Sequence, residues 1–356
     1  MPKSMKNPEK ERSRVVGTAG LAEQLGVSRW TVSRVLNGHS GIREATRQRI
    51  LEAVERTGFE PNRLARGLRG LPSGLVGVSF PYLEATILSE KGSVLQDELN
   101  TAGYRGIFEI TRGDAEMEAE VIRHFLSINV EGVVLIAPTL KPDNPVLKEV
   151  EDRGVGLVVL DPRHKLSVST VCLNRGKAMA LILKHLHGLG HRRFGLLGFG
   201  SDDMYKKARS DGLKRASREL GIEFEKEVIT IEEEGYSWRD YAFGEVLAKK
   251  LLGRPGGQPS ALICLNDRLA IGSMKALRDA GKSIPGDYSV VGFDNLPESK
   301  WTYPALTSVD QNIRTAMHRV NQVLWESIQG KGQARKSIDP ELIARESSGR
   351  ANHYKI

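Results

Sequence analysis

Between Ser28 and Asn37 the chain sets out two arginines, an indole, three hydroxyls and an amide: Ser28, Arg29, Trp30, Thr31, Ser33, Arg34 and Asn37. Together they lack the makings of acid-base or nucleophilic chemistry, but they match the edges of nucleobases. An arginine can bond guanine O6 and N7 with both arms, worth ~1–3 kcal/mol of discrimination, and an indole can pack on a thymine methyl. Short hydroxyls and an amide suit phosphate oxygens or base edges. Plainer readings compete: Trp30 as a core aromatic, and the arginines as a solvated face.

The flanking pattern supplies the elements that would position them. Thr18–Leu25 carries Leu21, Ala22 and Leu25 at helical spacing, and Gly26-Val27 breaks it. Ser28 suits an N-cap, and Arg29–Leu36 places Val32, Val35 and Leu36 on one face before Asn37-Gly38 ends the run. Two short helices about a glycine turn predict a helix-turn-helix. A third helix is expected over Glu44–Thr57, with Ile50, Leu51 and Val54 as its apolar stripe and Gly58 just past its end. A second helix entering the major groove by its N-terminal end turns Arg29, Trp30 and Arg34 to the bases.

The segment Pro61-Asn62-Arg63-Leu64-Ala65-Arg66-Gly67-Leu68-Arg69 is helix-compatible, and a linker follows it. It is shorter than the ~12–15 residues that are marginal alone, and internal Gly67 costs roughly 1 kcal/mol more. Order is therefore expected only on a duplex and beside a second copy. Arg63, Arg66 and Arg69 would then meet phosphates, and Leu68 would enter between base steps of the minor groove to kink the DNA.

Charge agrees with a polyanion partner. Residues 1–72 hold 14 Lys and Arg against 7 Asp and Glu, leaving 38 against 37 for the rest of the 356 residues. A basic head on a nearly neutral body suits counterion release from phosphates. The two cysteines, Cys172 and Cys264, each lie in a strand-like apolar run and read as small core hydrophobes. No stretch of ~18 apolar residues occurs, and Met1–Arg14 lacks the apolar core of a signal peptide, so no membrane partner and a cytoplasmic location are expected.

From Leu75 onward, apolar strands alternate with amphipathic segments. Strands are expected at Leu75–Phe80, Tyr104–Ile110, Gly132–Ala137, Gly156–Leu160, Phe194–Phe199, Ala261–Leu265 and Ser289–Phe293. Continuously apolar strands between helices are the mark of parallel, doubly wound sheets, which bind ligands beyond the carboxyl ends of their strands. Asp161, Asn266-Asp267 and Asp294-Asn295 follow three of those strands. Carboxylates and an amide suit a polyhydroxylated ligand, although each alone also suits an N-cap. At the Asn266-Asp267 pair, one reading puts Asn266 on ligand and Asp267 at the cap.

Catalysis finds no support. Gly281-Lys282-Ser283 ends like a P-loop, but Ala276 stands where its leading glycine is required, and no metal-ligand spacing or nucleophile elbow occurs. No enzyme activity, metal or cofactor is expected. A solute-binding protein could share the body, but it has no use for the basic head.

The chain resembles the lactose-repressor (LacI/GalR) family of bacterial transcription regulators. The likeness rests on Leu25–Ser28, Thr31–Gly38, Ala45–Arg47 and Pro61–Leu68 in the head. In the body it rests on Gly190–Arg193, Asn266-Asp267 with Ala270–Gly272, Ile284-Pro285, Ser289–Asp294, Pro304–Thr307 and Glu346-Ser347. The resemblance implies base reading by Arg29, Trp30 and Arg34, duplex contacts by Asn62, Arg63 and Arg66, and a hinge leucine at Leu68. It also implies a homodimer on a near-palindromic double-stranded operator.

In the body it implies a periplasmic-binding-protein-like fold (type I) of two subdomains, with three chain crossings and a sugar-like effector held by Asp161, Arg209, Asn266 and Asp294. Two departures stand out. The first helix opens Thr18-Ala19-Gly20-Leu21-Ala22, where the family usually has Ile-x-Asp-Val-Ala. The first cleft loop reads Pro81-Tyr82-Leu83-Glu84-Ala85-Thr86 in place of Asp-x-x-Asn-Pro-aromatic, which points away from an ordinary hexose. The expected order is a basic extension over 1–17, an all-α helix-turn-helix domain over 18–60, a hinge helix and linker over 61–73, and an α/β effector-binding and dimerisation domain of two doubly wound subdomains over 74–356. The expected function is a repressor, the ligand either releasing DNA or being required to bind it.

Overall fold

In the computed structural model, which describes residues 17–36, 40–59, 72–199 and 204–352, the chain divides into two units, Met1–Ser73 and Gly74–Ile356. The first contains α1 (Gly17–Leu25), α2 (Arg29–Leu36) and α3 (Glu44–Thr57). Local chemistry ends each. Gly26 takes φ +63°, and the amide of Val27 bonds back to Ala22 O at 3.0 Å. Ser28 Oγ accepts the Thr31 amide at 3.0 Å to cap α2, and Gly58 closes α3 in the left-handed region.

Leu21, Ala22, Val32, Val35, Ile50, Ala53 and Phe59 form the core of this unit. The expected α3 stripe needs one correction: Leu51 is exposed, and Ala53 is buried with Ile50. One residue is about 100° of helix, so the inward line runs Ile50, Ala53, Val54, and Leu51 turns outward. Phe59, just past the αL glycine, fills the space instead.

The second unit contains two six-stranded sheets. One takes β1 (Leu75–Phe80), β2 (Arg105–Ile110), β3 (Gly132–Ile136), β4 (Gly156–Leu160), β5 (Ser169–Leu173) and β11 (Arg335–Ile338), in the order β11-β5-β4-β3-β1-β2. The other takes β6 (Phe194–Leu197), β7 (Val228–Ile231), β8 (Ala261–Cys264), β9 (Ser289–Phe293), β10 (Thr307–Asp310) and β12 (Glu341–Ile343), in the order β12-β10-β9-β8-β6-β7. Every pairing is parallel except β10 with β12. Strands β1, β3, β4, β8 and β9 are buried along their whole length, as helices on both faces require. Tyr104, Ala137, Gly198-Phe199 and Leu265 fall just outside the strands expected to include them.

The chain passes between the sheets three times: after β5 near Asn174, after β10 at Gln311-Asn312, and after β11 at Asp339-Pro340. The crossings bond to one another. Asn174 donates its amide to Ile338 O at 2.8 Å, and Asn312 Nδ2 donates to Asp339 O at 2.7 Å. The helices Arg175–Gly188 and Met204–Leu220 meet at two glycines: a Cβ on Gly212 would lie 2.4 Å from Gly176 O. Only glycine permits that approach, which brings residues 175, 205 and 209 to one end of the cleft. Cys264 is buried and Cys172 half-buried, and burial pushes their thiols up to about 12 and about 11. Among the described residues, no helix is long and apolar enough to cross a membrane.

Candidate functional site

The first candidate site is the start of α2. Ser28, Arg29 and Trp30 are exposed, Trp30 to 63%, which removes the reading of this indole as a core residue. Thr31, Ser33 and Arg34 are half-buried. The face is organised by its own contacts. Ser28 Oγ and Thr31 Oγ1 are 2.8 Å apart, and Arg29 Nε donates to Thr18 Oγ1 at 3.2 Å, tying the second helix to the start of the first. The Arg34 guanidinium lies 4.8 Å from the Trp30 ring centroid and donates Nη2 to Ser40 O at 2.6 Å. Arg34 is thus a held donor, not a solvated charge. Arg49, not singled out in the sequence, donates to Leu25 O at 3.2 Å and joins α3 to the end of α1. Asn37, Asn62, Arg63, Arg66 and Leu68 lie outside the described residues.

The second is a cavity of 140 Å³ between the two sheets. Asp161, Arg209, Asn266 and Asp294 all line it, at the carboxyl ends of β4, β8 and β9 and on the helix Met204–Leu220. Backbone geometry there is unusual: Ala137, Asp161 and Asp294, after β3, β4 and β9, have φ of +51°, +51° and +118°. Such conformations cost ~1–3 kcal/mol each and gather at sites that must aim side chains.

The partners of these residues divide their roles. Asp161 is buried, and its Oδ1 accepts from Arg175 Nη1 at 2.7 Å and from the Leu173 amide at 2.8 Å. Lys91 Nζ stands 3.5 Å from its Oδ2 and also donates to Gln311 Oε1 at 2.8 Å. Burial by itself would raise the Asp161 pKa, but Arg175 and Lys91 outweigh it and hold the carboxyl well below its ordinary value. Burial conversely pulls the Lys91 ammonium down. Tyr205 donates its hydroxyl to Asp161 O, and its ring lies 3.9 Å beneath the Arg175 guanidinium. Asp161 is therefore a fixed counter-ion, its lone pairs largely occupied.

Across the cavity, Asp294 accepts Gln311 Nε2 at 2.5 Å. Burial, with the nearby charge of Asp267, pushes its pKa up to about 7. Arg209 lies over the rings of Phe293 and Phe199, 5.2 and 5.7 Å from their centroids.

At the Asn266-Asp267 pair the cap falls to Asn266 and not to Asp267, while Asn266 stays on the cavity wall. Asn266 is the cap: its Oδ1 accepts the Leu269 amide at 2.9 Å, while Nδ2 donates to Trp238 O at 2.8 Å. Asp267 is fully buried and accepts from the Leu296 amide at 2.7 Å, Ser299 Oγ at 2.6 Å and Ser308 Oγ at 2.5 Å. It fixes the loop after β9 that carries Asp294. The reason is the extended backbone of Asn266, with φ −154° and ψ 177°, which leaves that residue at the N-cap.

Lys91, Arg175, Tyr205 and Gln311 were not among the expected contacts. Lys91 had a readable signal: on the helix Thr86–Thr101 it shares the buried face with Ile87, Leu88, Leu95 and Leu99, where an unpaired lysine would be costly.

At the cleft mouth, the Arg239 guanidinium sits 3.8 Å over the Tyr82 ring and pairs with Glu84. Arg268 Nη2 donates to Glu84 O at 2.8 Å and Thr86 Oγ1 at 3.0 Å. These contacts join the loop after β1 to the opposite subdomain, at the sequence Pro81–Thr86. No cluster of three or more metal-ligating side chains occurs among the described residues.

Comparisons with known proteins agree over both units. A family described as "Bacterial regulatory proteins, lacI family" matches residues 20–62, and "Periplasmic binding protein-like domain" matches residues 183–348. The HTH-type transcriptional regulator reg1 of Streptomyces lividans is 31% identical over 345 residues, covering 94% of this chain and 96% of that relative. MalR of Streptomyces coelicolor, another HTH-type transcriptional regulator, is 30% identical over 343 residues, covering 94% and 96%. Among solved structures, a lac repressor dimer bound to operator and the anti-inducer ONPF superposes with a TM-score of 0.82 at 24% identity, covering 94% of this chain and 99% of that one.

Proposed function

The chain belongs to the lacI family of bacterial regulatory proteins and is a DNA-binding transcriptional regulator, not an enzyme; on that premise we propose a repressor whose grip on its operator is set by a small hydroxylated effector. The observation that carries the effector half is the convergence of Asp161, Arg209, Asn266 and Asp294 on one cavity between two sheets. The operator half rests on the exposed start of α2, with Arg29 and Trp30 outward and Arg34 held beside them.

The reading assigns base contacts to Arg29, Trp30 and Arg34, phosphate or base-edge contacts to Ser28, Thr31, Ser33 and Asn37, a duplex contact to Asn62, and phosphate contacts to Arg63 and Arg66. It assigns the minor-groove wedge to Leu68. Residues 18–60 then read DNA, 61–73 form the hinge, and 74–356 bind effector and pair two copies. A cytoplasmic homodimer on a near-palindromic site fits the lac repressor dimer on operator that shares the fold.

Ligand in the cleft would bias subdomain closure and so the spacing of two hinges; a coupling of ~1–3 kcal/mol suffices to switch occupancy. The test is selection of bound duplexes from random DNA by the purified full chain, with and without candidate sugars. A recovered consensus whose affinity changes with one ligand supports the reading. No preference among duplexes at physiological salt, with every ligand tried, rejects it.

A further inference from the structure

Two asparagines, Asn295 and Asn312, share a left-handed backbone, with φ +51° each, and they share one partner. Asp310 Oδ2 accepts from Asn295 Nδ2 at 2.8 Å, and Asp310 Oδ1 accepts the Asn312 amide at 2.6 Å. The second bond is local, a turn closed by a carboxylate on the amide two residues on. The first reaches 15 residues back, to the loop after β9 that carries Asp294. A turn residue needs no such bond.

The polar groups of Asn295 on that loop are clamped. Its amide donates to Ser308 Oγ at 3.0 Å, and its Oδ1 accepts from Arg345 Nη2 at 2.5 Å. With Nδ2 on the carboxylate and Oδ1 on the guanidinium, the side chain takes the one orientation that satisfies both. Arg345 is anchored in turn, by Nη1 on Leu306 O at 2.6 Å and by its own amide on Thr307 Oγ1 at 2.8 Å. The clamp matters to Asp294. At φ +118° that residue holds a conformation outside the small left-handed region open to side chains, so its aim depends on what fixes the next residue. At the other end, Asn312 Nδ2 bonds Asp339 O of the third crossing at 2.7 Å.

We propose that Asp310 is a positioning residue for the effector response: one carboxylate holds, through Asn295, the loop that aims Asp294 into the cavity and, through Asn312, the second chain crossing. The inference rests on the effector reading above and names the part that carries its signal. A ligand that displaces Asp294 turns the peptide between residues 294 and 295, and Asn295 then moves against Asp310. Because both oxygens of Asp310 are committed, that movement reaches the Asn312 amide and, beyond it, Asp339. Only a group with two acceptors can serve both asparagines at once, and a carboxylate adds the strength of charge-assisted bonds.

The test is hydrogen exchange of the full-length protein, read over 293–297 and 311–314, on the parent, Asp310→Asn, Asn295→Asp and the two changes together. Asp310→Asn sets an amide donor against the donor of Asn295 or of Asn312, and Asn295→Asp sets carboxylate against carboxylate. Each single change should quicken exchange in both segments by about tenfold or more, the worth of one charge-assisted bond. The two changes together swap donor for acceptor, keep the net charge, and should return both segments to the parent rate. Operator affinity on a duplex selected from random DNA is read in parallel with D-glucose, D-galactose, D-ribose and maltose. Without sugar, Asp310→Asn should stay within about threefold of the parent; its response to a sugar that moves the parent should fall at least about fivefold, and the paired change should recover it. An exchange effect confined to 293–297, or one that the paired change fails to reverse, overturns the relay. So does a full sugar response in Asp310→Asn. A parent that answers none of the four sugars counts against the effector reading, and the exchange rates alone then decide the relay.

Discussion

Lys91 Nζ donates to Gln311 Oε1 at 2.8 Å, and Gln311 passes the contact on through Nε2 to Asp294 Oδ1 at 2.5 Å. Lys91 also faces Asp161, so one line of polar atoms runs from the end of β4 to the end of β9. Gln311 lies on the second chain crossing, beside Asn312, which bonds the third crossing at Asp339. A ligand that rearranged Lys91 or Asp294 would therefore pull on two of the backbone segments that join the sheets. On the proposed reading, that is the means by which the cleft would bias its own closure.

Arg34→Ala should relax base preference at one operator position and cost ~1–3 kcal/mol there, while leaving other positions intact. Trp30→Ala removes the ring against which Arg34 is held, and should blur the same position to a lesser degree. Selection from random duplexes with each variant measures both effects. An unaltered consensus with Arg34→Ala would show that α2 is not the reading helix.

Arg239→Ala should loosen the cleft mouth. The pair with Glu84 is largely solvent-facing, and such pairs are worth ~0.2–1 kcal/mol, with the stacking on Tyr82 adding ~0.5–1 kcal/mol. Effector affinity should fall about three- to thirtyfold, and amide exchange over 81–86 should quicken. Equal exchange in variant and parent would mean that the clasp carries no closing energy.

Gly212→Ala tests the helix crossing behind Arg209. Its new Cβ would meet the backbone of Gly176, not a yielding side chain, so the helices Arg175–Gly188 and Met204–Leu220 must part. Overpacking of this kind costs ~1–3 kcal/mol. Effector binding should weaken with it, because Arg175, Tyr205 and Arg209 lose their alignment. Calorimetry of unfolding and of ligand binding should therefore move together; a stability loss with full ligand affinity would separate the crossing from the site.

How much of this was readable in the sequence depended on how local each cause was. The helix ends of the first unit were legible because Ser28, Gly26 and Gly58 act within a few residues of themselves. Strands buried on both faces announced themselves as apolar runs, and Asp161, Asn266 and Asp294 followed from their ends. Strands β5, β7, β10, β11 and β12 did not: all five mix polar with apolar residues, and the edge strands β7, β11 and β12 are partly wet as well. Leu51 was misplaced because one helical residue was counted inward on apolarity alone. Lys91, Arg175 and Gln311 escaped because their meaning lies in partners 70, 14 and 220 residues away in sequence. That the cap falls to Asn266 and not to Asp267 turned on a backbone angle that no composition records.

Asp294 should give the protein a pH signature that Asp294→Asn removes. Burial, then the charge of Asp267, raises its pKa from 3.8 to about 7, while Lys91, Gln311 and Arg209 pull the other way. Its folded-state pKa exceeds its unfolded one, so between those values the folded protein binds the extra proton, and stability falls as pH rises. The loss is complete once pH passes about 7, where both states are ionised. Asparagine keeps the shape and can still accept from Gln311, but it cannot ionise. Stability of the variant relative to the parent should therefore climb between pH about 4 and about 7 and level off above. A thermal-unfolding series of parent and variant across this range checks it. If the difference between parent and variant does not depend on pH, Asp294 is ionised throughout and the carboxylate is better solvated than its burial implies.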